Sequence, residues 1–310
     1  MNIQAVFNAA LLAWMAVTAP AQADTGKLLL TGGVSTIDGA AGGGISPWAV
    51  IGTNATRGET GYSAFASTLN TADYGLRAYG AAVAWNNTLE LSLAQQDFDA
   101  TPAAKLNALG FNVAANQHIV MNTLGVKLRV AGEAVLDSDT AMPQIAVGLL
   151  YKDTNAGSAK PVLDFLGAQT QGTEAYVAAT KLLLQHSLLL NGVLRYTNAN
   201  QGGLLGFGSA TPGTNQAVLV PEVSAAYLLS RNLAVGAEMR WMPNNQEALG
   251  RAAGLSDGLA ADRWQDIFVA WAPNKNVSLT AAYADLGRII PGITSNRNQS
   301  GLYLSVQLAM

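Results

Sequence analysis

The sequence predicts an all-β fold, a transmembrane antiparallel up-and-down β-barrel with an apolar outer face. Three observations favour this fold: strand-like alternation, a rhythm of short turns and long connections, and an N-terminal secretory signal. The alternation is clearest in residues 301–310, where every second residue is large and apolar: Leu302, Leu304, Val306, Leu308 and Met310. The residues between them are Tyr303, Ser305, Gln307 and Ala309, so this strand has one apolar face and one mostly polar or small face.

The composition narrows the class of protein. Of the 310 residues, 50% are apolar and only 12% are charged. After the N-terminus, however, no stretch holds the ~18 consecutive apolar residues that a membrane helix needs. A formal net charge of −3 gives no basic surface for nucleic acid. Since there is no cysteine, disulfides and thiolate metal sites are excluded.

Residues 1–23 are predicted to be a secretory signal peptide. An apolar core covers residues 5–19, and Ala21-Gln22-Ala23 forms a small-residue cleavage site. The usual basic residue is missing, because Lys27 is the first Lys or Arg of the chain. An uncleaved anchor helix is disfavoured by the short core. We therefore expect one barrel domain over residues 24–310, located in the outer membrane of a Gram-negative bacterium after cleavage near Ala23.

Strand-like segments recur along the rest of the chain. They cover residues 60–69, 73–85, 88–98, 118–131, 143–152, 173–184, 188–198, 217–229, 232–243, 262–272, 276–286 and 299–310. Several are joined by very short turns, at residues 86–87, 185–186, 230–231 and 273–275, and others by long polar connections, at residues 99–117, 153–172, 199–216, 244–261 and 287–298. Short turns on one side and long loops on the other are typical of outer-membrane barrels.

The strand number depends on how residues 27–72 fold. Counting residues 27–36 and 44–53 as strands gives fourteen, which the strand-like character of residues 60–69 favours. If residues 27–43 form a plug and residues 54–72 form one outer loop, the number is twelve. Both numbers are even, as a single-chain bacterial barrel requires. We expect the last strand to pair with the first, either 27–36 or 44–53, so that no edge stays open.

Charged residues alternate with the apolar face in many strands and are expected to point into the lumen. An inward position is favoured because a basic side chain in the middle of the bilayer costs about 2–4 kcal/mol. The candidates are Arg77, Glu90, Lys127, Arg129, Lys181, Arg195, Glu222, Glu238, Arg240 and Asp266. Their mixed signs favour an internal ion-pair network over a charge-selective constriction, and both interpretations remain open.

The outer connection at residues 202–208 is unusually apolar. It is expected either to fold into the lumen, to meet lipid A or a partner, or to be a flexible loop. Nothing indicates an enzyme: His186 and Ser187 are neighbours, and adjacent strand residues point to opposite faces, so they cannot form a nucleophile–base pair. We expect no catalytic residue, no metal and no cofactor.

Several segments resemble a known family. They are residues 26–34, the glycine run 39–44 with Pro47-Trp48-Ala49, residues 279–287 and residues 301–305. In these segments the chain is similar to the Domain of Unknown Function 3034 family, uncharacterised secreted proteobacterial proteins of the outer membrane. The resemblance covers nearly the whole mature chain. It implies an outer-membrane β-barrel but no established activity and no site residues.

The function expected from these features is a porin-like channel for the passive passage of small solutes. The alternative is a structural or docking barrel with an occluded lumen that serves a partner complex. The expected partners are membrane lipid, the outer-membrane assembly machinery and a small solute, without nucleic acid, and the expected state is a monomer.

Overall fold

The computed structural model describes residues 27, 29–135, 141–213, 215–254 and 257–310. The predicted signal peptide lies outside these residues. About half of the described chain forms one closed sheet of twelve strands, in which each strand pairs antiparallel with its neighbours in sequence. Two further short strands, β1 and β2, pair only with each other.

The strands are numbered in chain order, and β3 to β14 form the barrel. Their bounds are β1 Val34–Ser35, β2 Ala41–Gly42, β3 Thr60–Asn70, β4 Gly75–Trp85, β5 Leu89–Asp99, β6 His118–Ala131, β7 Gln144–Asn155, β8 Gln171–Leu183, β9 Leu188–Thr197, β10 Val218–Ser230, β11 Leu233–Arg240, β12 Trp264–Asn274, β13 Val277–Asp285 and β14 Ser300–Ala309.

The prediction of fourteen strands is wrong, and the alternative number of twelve is correct. The first barrel strand, however, is neither 27–36 nor 44–53. The last strand closes the barrel by pairing with β3, from Leu302 opposite Asn70 to Ala309 opposite Ser63. Residues 71–74 make a short turn between β3 and β4 at the end of the barrel opposite the turn 86–88. The segment before β3 adds no strand to the barrel sheet, and several of its backbone groups bind to side chains of the wall.

The two ends of the barrel differ, as the sequence predicts. One end carries the turns 86–88, 184–187, 231–232 and 275–276, together with the described residues 132–135 and 141–143 of a longer connection. The other end carries long connections with short helices: a 3₁₀-helix at Thr101–Leu109 and α-helices at Lys160–Phe165 and Glu247–Ala252. We call the described parts of connections 100–117, 156–170, 241–263 and 286–299 the outer cap.

The outer face of the wall is apolar. Ile267 and Leu219 are among its most exposed side chains, at 71% and 66%. Aromatic side chains point outward near both ends of the strands: Trp85, Tyr151, Tyr196, Tyr227, Trp241 and Trp271. An apolar band edged by aromatic residues is the outer surface of a barrel of the outer-membrane type. None of the described helices is long and apolar enough to cross a membrane.

Candidate functional site

The lumen is filled by the segment that precedes β3. Nearly every residue from 31 to 53, here called the plug, is buried, and Ala49 and Ile51 have no exposed surface. The plug contains the β1–β2 hairpin and then runs along the inner faces of the wall strands. Since it adds no strand to the barrel, its backbone amides and carbonyls need other partners.

Two wall carboxylates accept hydrogen bonds from plug amides. Glu238 Oε2 accepts from the backbone amides of Ile45, at 2.8 Å, and Ser46, at 3.4 Å. Glu90 accepts from the amides of Ala41, at 3.0 Å, and Gly52, at 2.6 Å. These bonds hold the plug at two well-separated strands of the wall, β5 and β11.

Neutral and basic wall side chains bind the plug's carbonyls. Gln144 Nε2 donates to the carbonyl of Ala49 at 2.6 Å, and Lys127 Nζ donates to the carbonyl of Ala41 at 3.0 Å. Lys127 also pairs with Glu90, at 3.1 Å, and both side chains are 1% exposed. The plug is therefore held by side-chain to backbone hydrogen bonds around the lumen.

Glycine lets the plug backbone pack closely against itself at Gly42. A Cβ atom at this position would lie 2.1 Å from the carbonyl oxygen of Ser46, within the plug itself. At Gly44, by contrast, a Cβ would meet only Glu238 Oε2 at 3.7 Å, an ordinary contact. The plug conformation therefore requires glycine at position 42 and tolerates a small side chain at position 44.

A network of six charged groups lies at the centre of the barrel. Lys152 Nζ is 2.9 Å from Asp38 of the plug and 2.7 Å from Glu174 of the wall. The guanidinium of Arg240 is 3.2 Å from Asp38 and 3.5 Å from Glu222. Arg195 bonds to Glu222 through Nε and is 3.4 Å from Glu174.

The network balances its own charge. Three cations and three carboxylates contact one another, and none of the side chains is more than 5% exposed. The two guanidinium groups also lie over aromatic rings, Arg195 over Tyr176 at 5.4 Å and Arg240 over Trp264 at 5.8 Å. A buried ionic cluster of this kind is stable only while every member keeps its partners.

An outer loop covers the network. Residues 200–208 are buried, and the carbonyl of Gly202 accepts a hydrogen bond from Lys152 Nζ at 2.8 Å. Gln201 accepts from the indole of Trp264 at 3.0 Å, and Thr154 donates to the carbonyl of Gly203 at 2.8 Å. Of the three expectations for the apolar connection 202–208, folding into the lumen is therefore correct.

Most of the predicted lumen charges point inward. These are Glu90, Lys127, Arg129, Arg195, Glu222, Glu238, Arg240 and Asp266. Arg129 lies near the short-turn end and pairs with Glu133 at 2.6 Å. Asp266 lies opposite Glu238 on the neighbouring strand, so two carboxylates share one part of the wall.

Two predicted lumen residues, Arg77 and Lys181, point outward instead. Arg77 lies in register with Asp97, on the outer face of β4 near its long-loop end, where the outer face becomes polar. Lys181 has the phase of Val177 and lies opposite the outward Leu190, near the short-turn end of β8. Arg77 is exposed near a strand end, where a basic side chain reaches the polar interface at little cost, whereas Lys181 is only 9% exposed although it has the outward phase.

Sequence reasoning missed Asp38, Lys152 and Glu174, which are members of the central network. Strand alternation indicated an inward position for two of them. Glu174 lies four residues before the inward Ala178 on the same strand, and Lys152 directly follows the outward Tyr151. Asp38 carried no such signal, because it belongs to no barrel strand.

The two histidines lie away from the lumen. His118 Nδ1 is 2.7 Å from Asp97 Oδ1 on the outer face, and His186 lies in a turn at the short-turn end. Within the described ranges, no three or more His, Cys, Asp or Glu side chains are grouped so that they could hold a metal ion.

The family comparison agrees with the resemblance noted in the sequence. The model of the family described as "Protein of unknown function (DUF3034)" matches residues 31–307, nearly the whole chain. The chain belongs to the DUF3034 family. The match begins in the plug and ends in the closing strand, so the plug is part of the family's pattern. No match to the sequence was found among curated proteins.

Several solved barrels are remotely similar to this DUF3034 protein. The NanC porin shares 10% identity at a TM-score of 0.49, over 80% of this chain and 98% of that chain. The KdgM porin shares 8% identity at a TM-score of 0.46, over 79% and 98% of the two chains. The COG4313 outer membrane channel from Pseudomonas putida F1 shares 10% identity at a TM-score of 0.42, over 83% and 96%. These similarities are too remote to bear on function, and the fold rests on the closed strand order.

Proposed function

We propose that this DUF3034 protein is a porin-like outer-membrane channel for small solutes that the plug holds closed. The proposal rests on one observation: the barrel wall, with its inward charged side chains, closes without any strand from the plug. The twelve strands close on each other, while the plug contributes no strand to the barrel. Removing the plug from the lumen would therefore leave every strand pair of the wall intact.

The chemistry of the wall supports a lumen that can hold water. Lys127, Lys152, Glu174, Arg195 and Glu222 all belong to wall strands and point inward. In the closed state these groups depend on each other and on the plug, because burying a charge without a partner is very costly. In an open state water would solvate these charged side chains. Moving the plug would therefore expose a polar lumen to water and not an apolar one.

The barrel's surroundings follow from its outer face. An apolar band edged by aromatic residues supports insertion into the outer membrane by the barrel assembly machinery. We propose a monomer, with lipid around it and no nucleic acid partner. The expectation that the protein is not an enzyme also stays part of this proposal.

Conductance of the refolded mature chain, residues 24–310, in a planar bilayer tests the channel. The native protein is expected to be closed most of the time, with brief openings. Gly42→Ala should lengthen or multiply the openings, because its Cβ would clash with the carbonyl of Ser46 inside the plug. Gly44→Ala, two residues away, is the matched control and should behave as the native protein.

A second candidate function is an occluded structural or docking barrel that serves a partner complex. It is favoured by the ion pairs that link all six members of the central network and by the loop 200–208 that covers it. The same recordings separate the two candidates. If neither the native chain nor Gly42→Ala conducts at any voltage, the channel proposal is wrong and the occluded barrel remains.

A further inference from the structure

The outer cap encloses an apolar cavity that is separate from the charged lumen. Its volume is about 150 Å³. Side chains from all four cap connections line it, including Leu106, Leu163, Leu249 and Ile293. Leu205, from the loop that covers the charged network, also lines it, so this loop separates the cavity from the network below.

The cavity has the size of one small ring. An apolar protein cavity of about 150 Å³ stays dry and can bind a molecule such as benzene. Two highly exposed apolar side chains, Leu109 and Phe165, line the same cavity and are each 69% exposed. These side chains place part of its lining at the outer surface, where a molecule can reach it from outside.

One amide side chain interrupts the apolar lining. Gln246 lines the cavity and is only 7% exposed. Its Nε2 is buried and has no hydrogen-bond partner among the described residues. A buried amide without a partner is unfavourable, and a ligand that supplies an acceptor would remove this cost.

We propose that the outer cap is a binding site for a small, mostly apolar molecule with one hydrogen-bond acceptor, such as a monocyclic aromatic ketone. The ring fills the cavity among the apolar side chains, and the acceptor oxygen takes a hydrogen bond from Gln246 Nε2. The site binds whether or not the plug opens, so it does not depend on the channel proposal.

Methyl NMR in detergent micelles tests this site with a matched pair of probes. Acetophenone and ethylbenzene have similar shapes, but only acetophenone carries an acceptor oxygen. Isoleucine methyl groups of the full mature chain report where each probe binds: Ile119, Ile290 and Ile293 line the cavity. Ile267 lies on the outer face and is 71% exposed, so it reports only probe dissolved in the micelle.

Acetophenone is expected to shift the three cavity methyl groups with saturation and to bind more tightly than ethylbenzene. The Ile267 signal should move linearly without saturation. Gln246→Leu should weaken acetophenone binding about tenfold and leave ethylbenzene binding equal or tighter, because only one ligand loses a hydrogen bond. Saturation with a cavity methyl but equal affinities for both probes would contradict the role of Gln246.

A filling variant controls for binding elsewhere. Ala103 is buried against the cavity, and Ala103→Leu places three more carbon atoms there. Saturable binding of both probes should disappear while the spectrum of outer-face methyl groups stays unchanged. If no probe gives saturable shifts in the native protein, or if Ala103→Leu binds as the native protein does, the proposed site does not exist.

Discussion

The lumen and the outer cap both exclude water, but they do so with opposite chemistry. The centre of the lumen is filled by charged groups that form ion pairs with one another, with Asp38 of the plug bound to Lys152 and Arg240 of the wall. The cavity inside the cap is lined by apolar side chains, and the Nε2 of Gln246, the amide side chain among them, lacks a partner among the described residues.

This difference predicts different responses to mutation. A buried ionic network fails when one member is removed, because the others keep their charges without partners. An apolar cluster loses contacts in proportion to the volume removed and can relax around the gap. Truncating a side chain in the lumen should therefore lower the stability of the whole barrel. Truncating a side chain in the cap should destabilise only the cap.

The largest effect is expected for Glu174→Ala. This carboxylate contacts Lys152 at 2.7 Å and Arg195 at 3.4 Å, so its removal leaves two buried cations short of a partner. We expect a loss of about 3–5 kcal/mol in the free energy of unfolding. Urea unfolding of the refolded barrel measures it.

The matched control is Asp164→Ala. Asp164 pairs with Lys160 at 2.7 Å in the cap, but both side chains are more than half exposed. Its removal should cost less than about 1 kcal/mol. Equal losses for the two variants would mean that the lumen network is hydrated and is not a buried cluster.

A smaller and more local effect is expected for Leu163→Ala in the cap. Leu163 is 3% exposed and lines the apolar cavity, so truncation enlarges a space that is already there. We expect about 2–3 kcal/mol of local destabilisation. Protease cleavage of the cap connections should increase, while unfolding of the barrel stays the same. Leu109→Ala, at a position 69% exposed, should change neither measurement.

The smallest effect is expected from acid at the rim of the cap. Arg288 binds Asp262 through Nε at 2.7 Å and through its backbone amide at 2.9 Å. These hydrogen bonds hold the pKa of Asp262 below its usual value. The stabilisation is therefore fully present above the unfolded-state pKa of about 4 and is lost as the pH falls through the folded-state pKa.

Hydrogen exchange at the amide of Gly292 reports this contact, because that amide donates to the carbonyl of Gly258 across the same two connections. After correction for intrinsic rates, exchange should accelerate below about pH 4 in the native protein. In Asp262→Asn it should already be faster at neutral pH and show less change with acid. The same pH profile in both proteins would exclude Asp262 as the group responsible.

The sequence predicts the barrel well because alternation is a local property of each strand. The prediction of an inward side chain fails at Arg77, because the outer face of the neighbouring strands becomes polar there. On that face Tyr79 bonds to Gln95, and Gln95 donates to Asn122 at 2.7 Å. The prediction fails at Lys181 because the apolar residues that follow, Leu182 to Leu184, blur the phase of the strand.

Other features could not be read from local patterns. The plug depends on hydrogen bonds between residues far apart in sequence, such as the one from Ile45 to Glu238. The sequence left a plug at residues 27–43 as an alternative, but it could not decide between that plug and two further barrel strands. The apolar cavity is assembled from several separate connections, each of which looks like an ordinary polar loop with a few apolar residues.

The central claim is that residues 31–53 lie inside the barrel, and site-specific cross-linking tests it most directly. Ser35 Oγ is 2.8 Å from Gln307 Oε1 on the inner face of β14, whereas Val306, the preceding residue, points outward. The chain has no native cysteine, so introduced pairs are unambiguous. With a short bifunctional thiol reagent in membranes, Ser35→Cys with Gln307→Cys should cross-link and run faster on a denaturing gel. Ser35→Cys with Val306→Cys should not. Absence of the first product, or equal yields of both, would contradict a plug inside the lumen.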